Sequence, residues 1–191
     1  MRLSPAFKAT TVVLALVVVL WLIWQRYADF LSQGQRPPEA VLKLNKIEKD
    51  GLPGFSVKTL KGEEISLAKF TGKLVILNFW ASWCDPCVAE FPSLLKLLNK
   101  FNGEIVLLAI SADYEEKDIQ TFLKAFGAEN PNLFVAWDKE LEVGKKFGTE
   151  KLPESYIIGR DGHLIRKVAG VDDWSSSDAF DFFTDLLRKK K

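Results

Sequence analysis

At 191 residues the chain is long enough for one well-buried domain with an appendage, and too short for two domains of ordinary size. With 26 basic against 25 acidic residues and 48% hydrophobic side chains, it has neither the charge imbalance of a nucleic-acid binder nor the polarity of a disordered chain, so no nucleic acid is expected as a partner. Its two cysteines, Cys84 and Cys87, and single histidine, His163, are too few for a structural zinc site or an iron-sulfur cluster built from one chain, and no metal or other cofactor is expected.

The first predicted element is a membrane segment. From Ala9 to Trp24 only Thr10 and Thr11 interrupt an apolar run. At about 1.5 Å per residue the run is slightly short for a full span, and its length also suits the core of a signal peptide. Trp21, Ile23, Trp24, Gln25, Arg26 and Tyr27 follow instead of the small residues a signal peptidase needs. The aromatic residues suit a membrane interface, which favours a retained anchor. Arg2, Lys8 and the amino terminus precede the run and only Arg26 follows it closely, so the positive-inside tendency keeps the amino terminus in the cytoplasm. The expected organisation is a cytoplasmic end and transmembrane anchor over residues 1–27, in contact with lipid through 9–24, then a tether over 28–50. The domain over 51–191 then lies on the periplasmic or extracytoplasmic side of the inner membrane. Breakers in Gln33-Gly34-Gln35-Arg36-Pro37-Pro38 argue against an element there.

Within the domain, Phe55 to Thr59 and Glu64 to Leu67 predict short strands, and Leu74 to Trp80 a buried one. Val88 to Asn99 carries apolar residues at helical spacing. Glu104 to Ser111 predicts a strand, Glu115 to Phe126 a helix, Leu133 to Ala136 a strand, and Lys139 to Phe147 a helix. Ser155 to Ile158 and Leu164 to Val168 predict strands joined by a hairpin turn at Arg160-Asp161-Gly162-His163, and Ser176 to Leu187 a final amphipathic helix. Alternating strands and helices of this kind make an α/β sandwich.

The chemistry centres on Cys84-Asp85-Pro86-Cys87, between a buried strand and a helix. A helix start offers unpaired amides and a positive dipole end, which lower the pKa of the first thiol. Cys84 is thus the expected nucleophile. Cys87, one turn later, is placed to resolve the resulting mixed disulfide. A purely structural bridge is the plain alternative, but closing a two-residue gap removes little loop entropy. Redox function is the better reading.

Asn78-Phe79-Trp80-Ala81-Ser82-Trp83-Cys84-Asp85-Pro86-Cys87 resembles the active-site segment of thioredoxin-like proteins, and more closely the TlpA/ResA/CcmG family of membrane-anchored thiol:disulfide oxidoreductases. Gly54-Phe55, Gly72-Lys73, Glu90-Phe91-Pro92, Leu152-Pro153-Glu154-Ser155 and Asp161-Gly162 extend the resemblance from about Gly51 to the carboxyl terminus. It implies a thioredoxin-like fold, a central mixed β-sheet flanked by helices, with an N-terminal transmembrane helix. It further implies a proline inside the active-site helix at Pro92 and a cis-proline at Pro153, with the Leu152 backbone offering hydrogen bonds to a partner peptide.

A glutamate at the position of Glu90 lies near the active cysteines in that family, and Glu90 is three residues past Cys87 on the same helical face. A carboxylate buried there would have a raised pKa and could accept the Cys87 proton. Cytoplasmic thioredoxins usually carry a buried aspartate where this chain has Asn78, which leaves Glu90 the better acceptor. Trp83 is expected to shape partner contact beside Cys84, and Asp85 to oppose thiolate formation and make the pair more reducing.

The resemblance implies reduction of disulfides in exported clients, of cytochrome c maturation or copper and oxidase assembly, with a membrane thiol transporter as electron donor. A disulfide-forming oxidase is the alternative direction. A thiol peroxidase of the same fold would surround its cysteine with threonine and arginine rather than Ser82-Trp83 and Asp85-Pro86. A copper carrier would need His163, a turn residue, as a third ligand.

Overall fold

The computed structural model describes residues 5–34 and 38–188, with side chains described over 14–29 and 38–188. The described residues fall into two compact units, one ending at Pro38 and one beginning at Glu39. The first is helix α1 (Pro5–Gly34). Every side chain from Leu14 to Asp29 is exposed, and the Trp24 and Tyr27 rings lie 6.5 Å apart. Among the described residues no helix is long and apolar enough to cross a membrane. Residues 9–13, which open the apolar run, lie outside those with described side chains, as do Arg2 and Lys8.

The second unit opens with α2 (Glu39–Asp50), inside the stretch expected to be a tether. Glu39 and Lys43 pair across one helical turn, Ile47 is buried, and Lys43 Nζ donates to the Lys145 carbonyl 2.7 Å away. These contacts with residues about a hundred positions on are what make the stretch an element of the domain, and no local pattern announces them. A two-stranded ribbon, β1 (Val57–Lys58) and β2 (Glu64–Ile65), is shorter than expected and gives way to a 3-10 turn over Leu67–Phe70.

Strand β3 (Leu74–Trp80) is buried at every residue, as its run of apolar residues, broken only by Asn78, suits a central strand covered on both faces. Helix α3 (Asp85–Lys100) crosses over to β4 (Ile105–Ser111), also buried throughout and parallel to β3. Helix α4 (Glu116–Ala125) leads to β5 (Leu133–Trp137), parallel to β4. Helix α5 (Glu142–Phe147) starts later than its sequence pattern suggests. The Asp138 carboxylate accepts the N–H groups of Glu142, Val143 and Gly144, and Leu141 adopts a positive φ of 56°, so the chain turns before it coils. Then β6 (Glu154–Ile158) runs antiparallel to β3, β7 (Leu164–Ala169) closes a hairpin on it, and α6 (Ser177–Arg188) ends the unit. Among the described residues this is a five-stranded mixed sheet ordered β5-β4-β3-β6-β7 with helices packed on it.

The sheet divides the interior into two apolar clusters. One gathers Trp80, Phe91, Leu94, Phe122, Trp174 and Phe183 around both cysteines. The other, on the side of Ile47 and Phe147, packs Phe79, Phe147 and Tyr156 with ring centroids 5.0 to 6.0 Å apart. From the carboxyl end of β3 at Trp80 a short turn leads to Cys84, the residue directly before α3.

Candidate active site

Cys84 is the N-cap of α3. Its backbone is extended (φ −91°, ψ 98°), and its Sγ accepts the Cys87 main-chain N–H at 3.3 Å. Pro86 suits the first helical turn, where no donor is needed. The two sulfurs are joined in a disulfide. Cys84 lines a groove of about 800 Å³, whereas Cys87, 2% exposed, does not line it. A partner sulfur can therefore reach Cys84 along the groove and must displace protein to reach Cys87.

The turn before Cys84 is clamped by a buried carboxylate. Asp113, just past the end of β4, accepts the Ser82 N–H at 3.0 and 3.1 Å, the Ser82 hydroxyl at 2.6 Å and the Ser111 hydroxyl at 2.6 Å. The next residue, Tyr114, stacks on Trp83 with centroids 5.9 Å apart and an interplanar angle of 18°. Trp83, Tyr114 and Leu141 are exposed apolar side chains that rim the same groove, with Lys139, Lys145 and Lys151 along it. An extended peptide segment fits such a surface better than a small polar substrate does.

Behind the disulfide, α3 turns Cys87, Glu90, Phe91 and Leu94 toward the core. Glu90 is 2% exposed. Its Oε1 accepts the Trp174 indole N–H at 2.6 Å, and its Oε2 is buried with no hydrogen-bond partner among the described residues. Burial pushes the carboxyl up to about 7, against the pull of the Trp174 hydrogen bond. A carboxyl poised there can hold a proton or release one near neutral pH. Pro92 sits inside α3 without ending it. Ser93 Oγ both donates to the Glu90 carbonyl at 2.7 Å and accepts the Trp174 main-chain N–H at 3.1 Å.

The AhpC/TSA family profile matches residues 49–167 of the chain. The chain belongs to the AhpC/TSA family. Thiol-disulfide oxidoreductase ResA of Bacillus thuringiensis subsp. konkukian (strain 97-27) is 33% identical to it over 155 residues, 81% of this chain and 86% of that protein. ResA of Bacillus subtilis (strain 168) is 28% identical over 120 residues, 62% of this chain and 65% of its own. Among solved structures, the protein assigned as thiol:disulfide interchange protein DsbE of Chlorobium tepidum matches with a TM-score of 0.63 at 27% identity, over 71% of this chain and 94% of that one. The fold is thioredoxin-like, and this AhpC/TSA-family protein is a thiol:disulfide oxidoreductase of the ResA and DsbE type.

In this oxidoreductase Cys84, Trp83 and Leu152 line one groove, with Cys87 and Glu90 buried behind it. The Leu152–Pro153 peptide bond is cis, and the Pro153 carbonyl accepts the Gly170 N–H at 2.9 Å. Asn78 is buried in β3, donating to Ser155 Oγ at 2.9 Å. His163 is an exposed turn residue whose Nδ1 lies 3.7 Å from Asp161 Oδ2. Among the described residues no three His, Cys, Asp or Glu side chains gather as a metal site. Sequence reasoning missed Asp113, Tyr114 and the partner of Trp174. The signal for Trp174 was a large aromatic residue set among Asp172, Asp173, Ser175 and Ser176, where only burial against something else explains it.

Proposed function

We propose that this oxidoreductase is a membrane-anchored reductase acting outside the cytoplasm on disulfides of particular exported proteins, with Cys84 as nucleophile, Cys87 as resolving thiol and Glu90 as proton acceptor. The observation that carries the reading is the arrangement around the disulfide: Cys84 on the groove, Cys87 and the Glu90 carboxyl buried behind it. The Cys84 thiolate attacks a client disulfide and one client sulfur leaves. Cys87 then gives its proton to Glu90 and attacks Cys84 Sγ, forming the intramolecular disulfide and releasing the second client sulfur as a thiolate. Pro153 and Leu152 border the client segment, and Trp83 supplies an aromatic face to it. Asp85 in the first turn of α3 puts a negative charge beside the thiolate, which supports the reducing direction.

The reduction potential of the Cys84/Cys87 pair, equilibrated against a thiol buffer, tests the direction. A value of about −250 mV or below is expected and implies an electron supply through the membrane, for which a thiol transporter is the fitting donor; a value near about −120 mV makes the protein an oxidant and sinks the reading. The clients proposed are proteins whose cysteines must be reduced after export, those of cytochrome c maturation or of copper and oxidase assembly.

The exposed apolar surface of α1 from Leu14 to Trp24 supports attachment to lipid through residues 9–24. In this reading residues 1–27 hold the chain in the inner membrane as a single pass with the amino terminus inside. The protein is then expected to stay with membranes through an alkaline carbonate wash and to be released by deletion of residues 1–27. Release of the full chain by carbonate counts against the anchor.

A further inference from the structure

Glu90 and Trp174 are 84 positions apart, yet both are 2% exposed and share a hydrogen bond of 2.6 Å. Nothing in the exchange chemistry described above uses Trp174. An indole N–H donates and cannot accept. Glu90 Oε1 must therefore remain an acceptor for as long as this bond lasts, in the charged and in the neutral carboxyl alike. A proton on Oε1 would make it a hydroxyl oxygen, a poorer acceptor for the indole than the carbonyl oxygen it is when the proton sits on Oε2. The other oxygen, Oε2, closes no hydrogen bond with any of the described residues.

The indole is held firmly enough to impose this choice. The Trp174 main-chain N–H donates to Ser93 Oγ, whose hydroxyl donates in turn to the Glu90 main-chain carbonyl, so the backbones that carry the indole and the carboxyl share one anchoring point on α3. The Trp174 ring also packs on Phe183 of α6 at 6.1 Å. Of the two acidic residues in the same loop, Asp173 is bound to Ser175, and Asp172 acts on Glu90: its main-chain amide favours the charged carboxylate and its own charge opposes it, though neither closes a hydrogen bond on Oε2. Arg166 of β7 and Asp178 of α6 line the small cavity that Trp174 also lines. On α3 itself the group that faces the same core is Cys87.

We propose that Trp174 is a positioning residue for the exchange reaction: its indole N–H keeps Glu90 Oε1 as an acceptor and so assigns the transferable proton to Oε2. The proposal rests on the reading of Glu90 as proton acceptor. In the resolving step the Cys87 S–H bond breaks and its proton passes to Oε2. The freed sulfur electron pair forms the bond to Cys84 Sγ, the bond from Cys84 to the client sulfur breaks, and that sulfur leaves with its electron pair. Oxidised protein thus carries the proton on Oε2 until solvent removes it.

The test uses Trp174→Phe, which keeps an aromatic ring and deletes the donor. Losing a hydrogen bond to the charged carboxylate raises the pH at which the carboxyl ionises. The midpoint of resolution, measured on a preformed mixed disulfide of Cys84 with a small thiol, is expected to move up by about one pH unit, a roughly fivefold loss at pH 7 that is recovered at high pH. In a Glu90→Gln background the same change is expected to add no further effect. The unmutated protein offers a second readout: the Trp174 indole N–H resonance should titrate with the midpoint of the ¹³C-labelled Glu90 carboxyl. A flat indole resonance across that titration, or a Trp174→Phe profile equal to that of the parent while Glu90→Gln is slow, reduces Trp174 to packing. If Glu90→Gln itself leaves rate and profile unchanged, the reading of Glu90 falls first, and the proposal falls with it.

Discussion

Replacing Cys84 with serine is expected to lower disulfide exchange by at least about 10³-fold, while Cys87→Ser leaves the first exchange intact and stalls the second. The asymmetry follows from position along one turn of α3. Cys84 lines the groove, and its Sγ already accepts the Cys87 main-chain N–H, a donor that remains to steady the thiolate once the disulfide opens. Cys87 has no access to the groove. It can act only after Cys84 has taken a client sulfur to it. Cells producing the Cys87→Ser variant should therefore accumulate client proteins bonded to Cys84, visible as bands that disappear on reduction and identifiable by mass spectrometry. The same bands in Cys84→Ser, with none in Cys87→Ser, would reverse the two roles. Their absence from both would leave Cys87 without a resolving function.

Glu90→Gln carries the second large effect, and it has two separable parts. The first is kinetic. Acceptance of the Cys87 proton requires the carboxylate, so resolution should quicken as pH rises through about 7, where burial has moved the group. The amide has no such form. The variant is expected to lose that inflection and to resolve about 10²-fold more slowly at pH 8. The second is thermodynamic. In the unfolded chain this carboxyl ionises near 4.5, and in the folded one near 7, so between those values the folded state binds more protons than the unfolded state. Stability accordingly falls as pH rises across that window, by an amount on the order of 3 kcal/mol once both states are ionised. Glutamine removes this penalty. Oxidised Glu90→Gln and parent should unfold alike in urea at pH 4 and diverge toward pH 8, with the variant the more stable. A parent protein whose stability is the same at both pH values would mean that the carboxyl is not held neutral by its surroundings.

The legibility of this molecule in its sequence follows the range of the forces involved. Strands β3 and β4 declare themselves because a central strand is buried on both faces and calls for a mostly apolar run such as Leu74 to Trp80, in which Asn78 alone is polar. The place of Glu90 near the cysteines is legible through the family resemblance and its position three residues past Cys87, and its burial there is what the structure adds. Local pattern failed where distant residues decide the outcome. Helix α2 lies in a stretch that reads as a linker because its one buried side chain, Ile47, and its bond to the Lys145 carbonyl depend on the rest of the domain. Helix α5 starts three residues later than its pattern predicts because Leu141 takes a conformation that leucine rarely adopts, with the Asp138 carboxylate on the amides that follow. Asp113 lies 31 positions from the Ser82 it clamps, and no spacing rule connects them.

One apolar cluster holds the disulfide together with two buried indoles, Trp80 and Trp174. A disulfide close to an excited indole quenches its emission by accepting an electron, and a dithiol does so far less. Trp174 also donates to a carboxyl that gains and loses charge near neutral pH, which moves the colour of the emitted light as well as its yield. The emission of these indoles is therefore expected to follow both the oxidation state of the cysteine pair and the charge on Glu90, through side chains the fold has already placed, with no label attached.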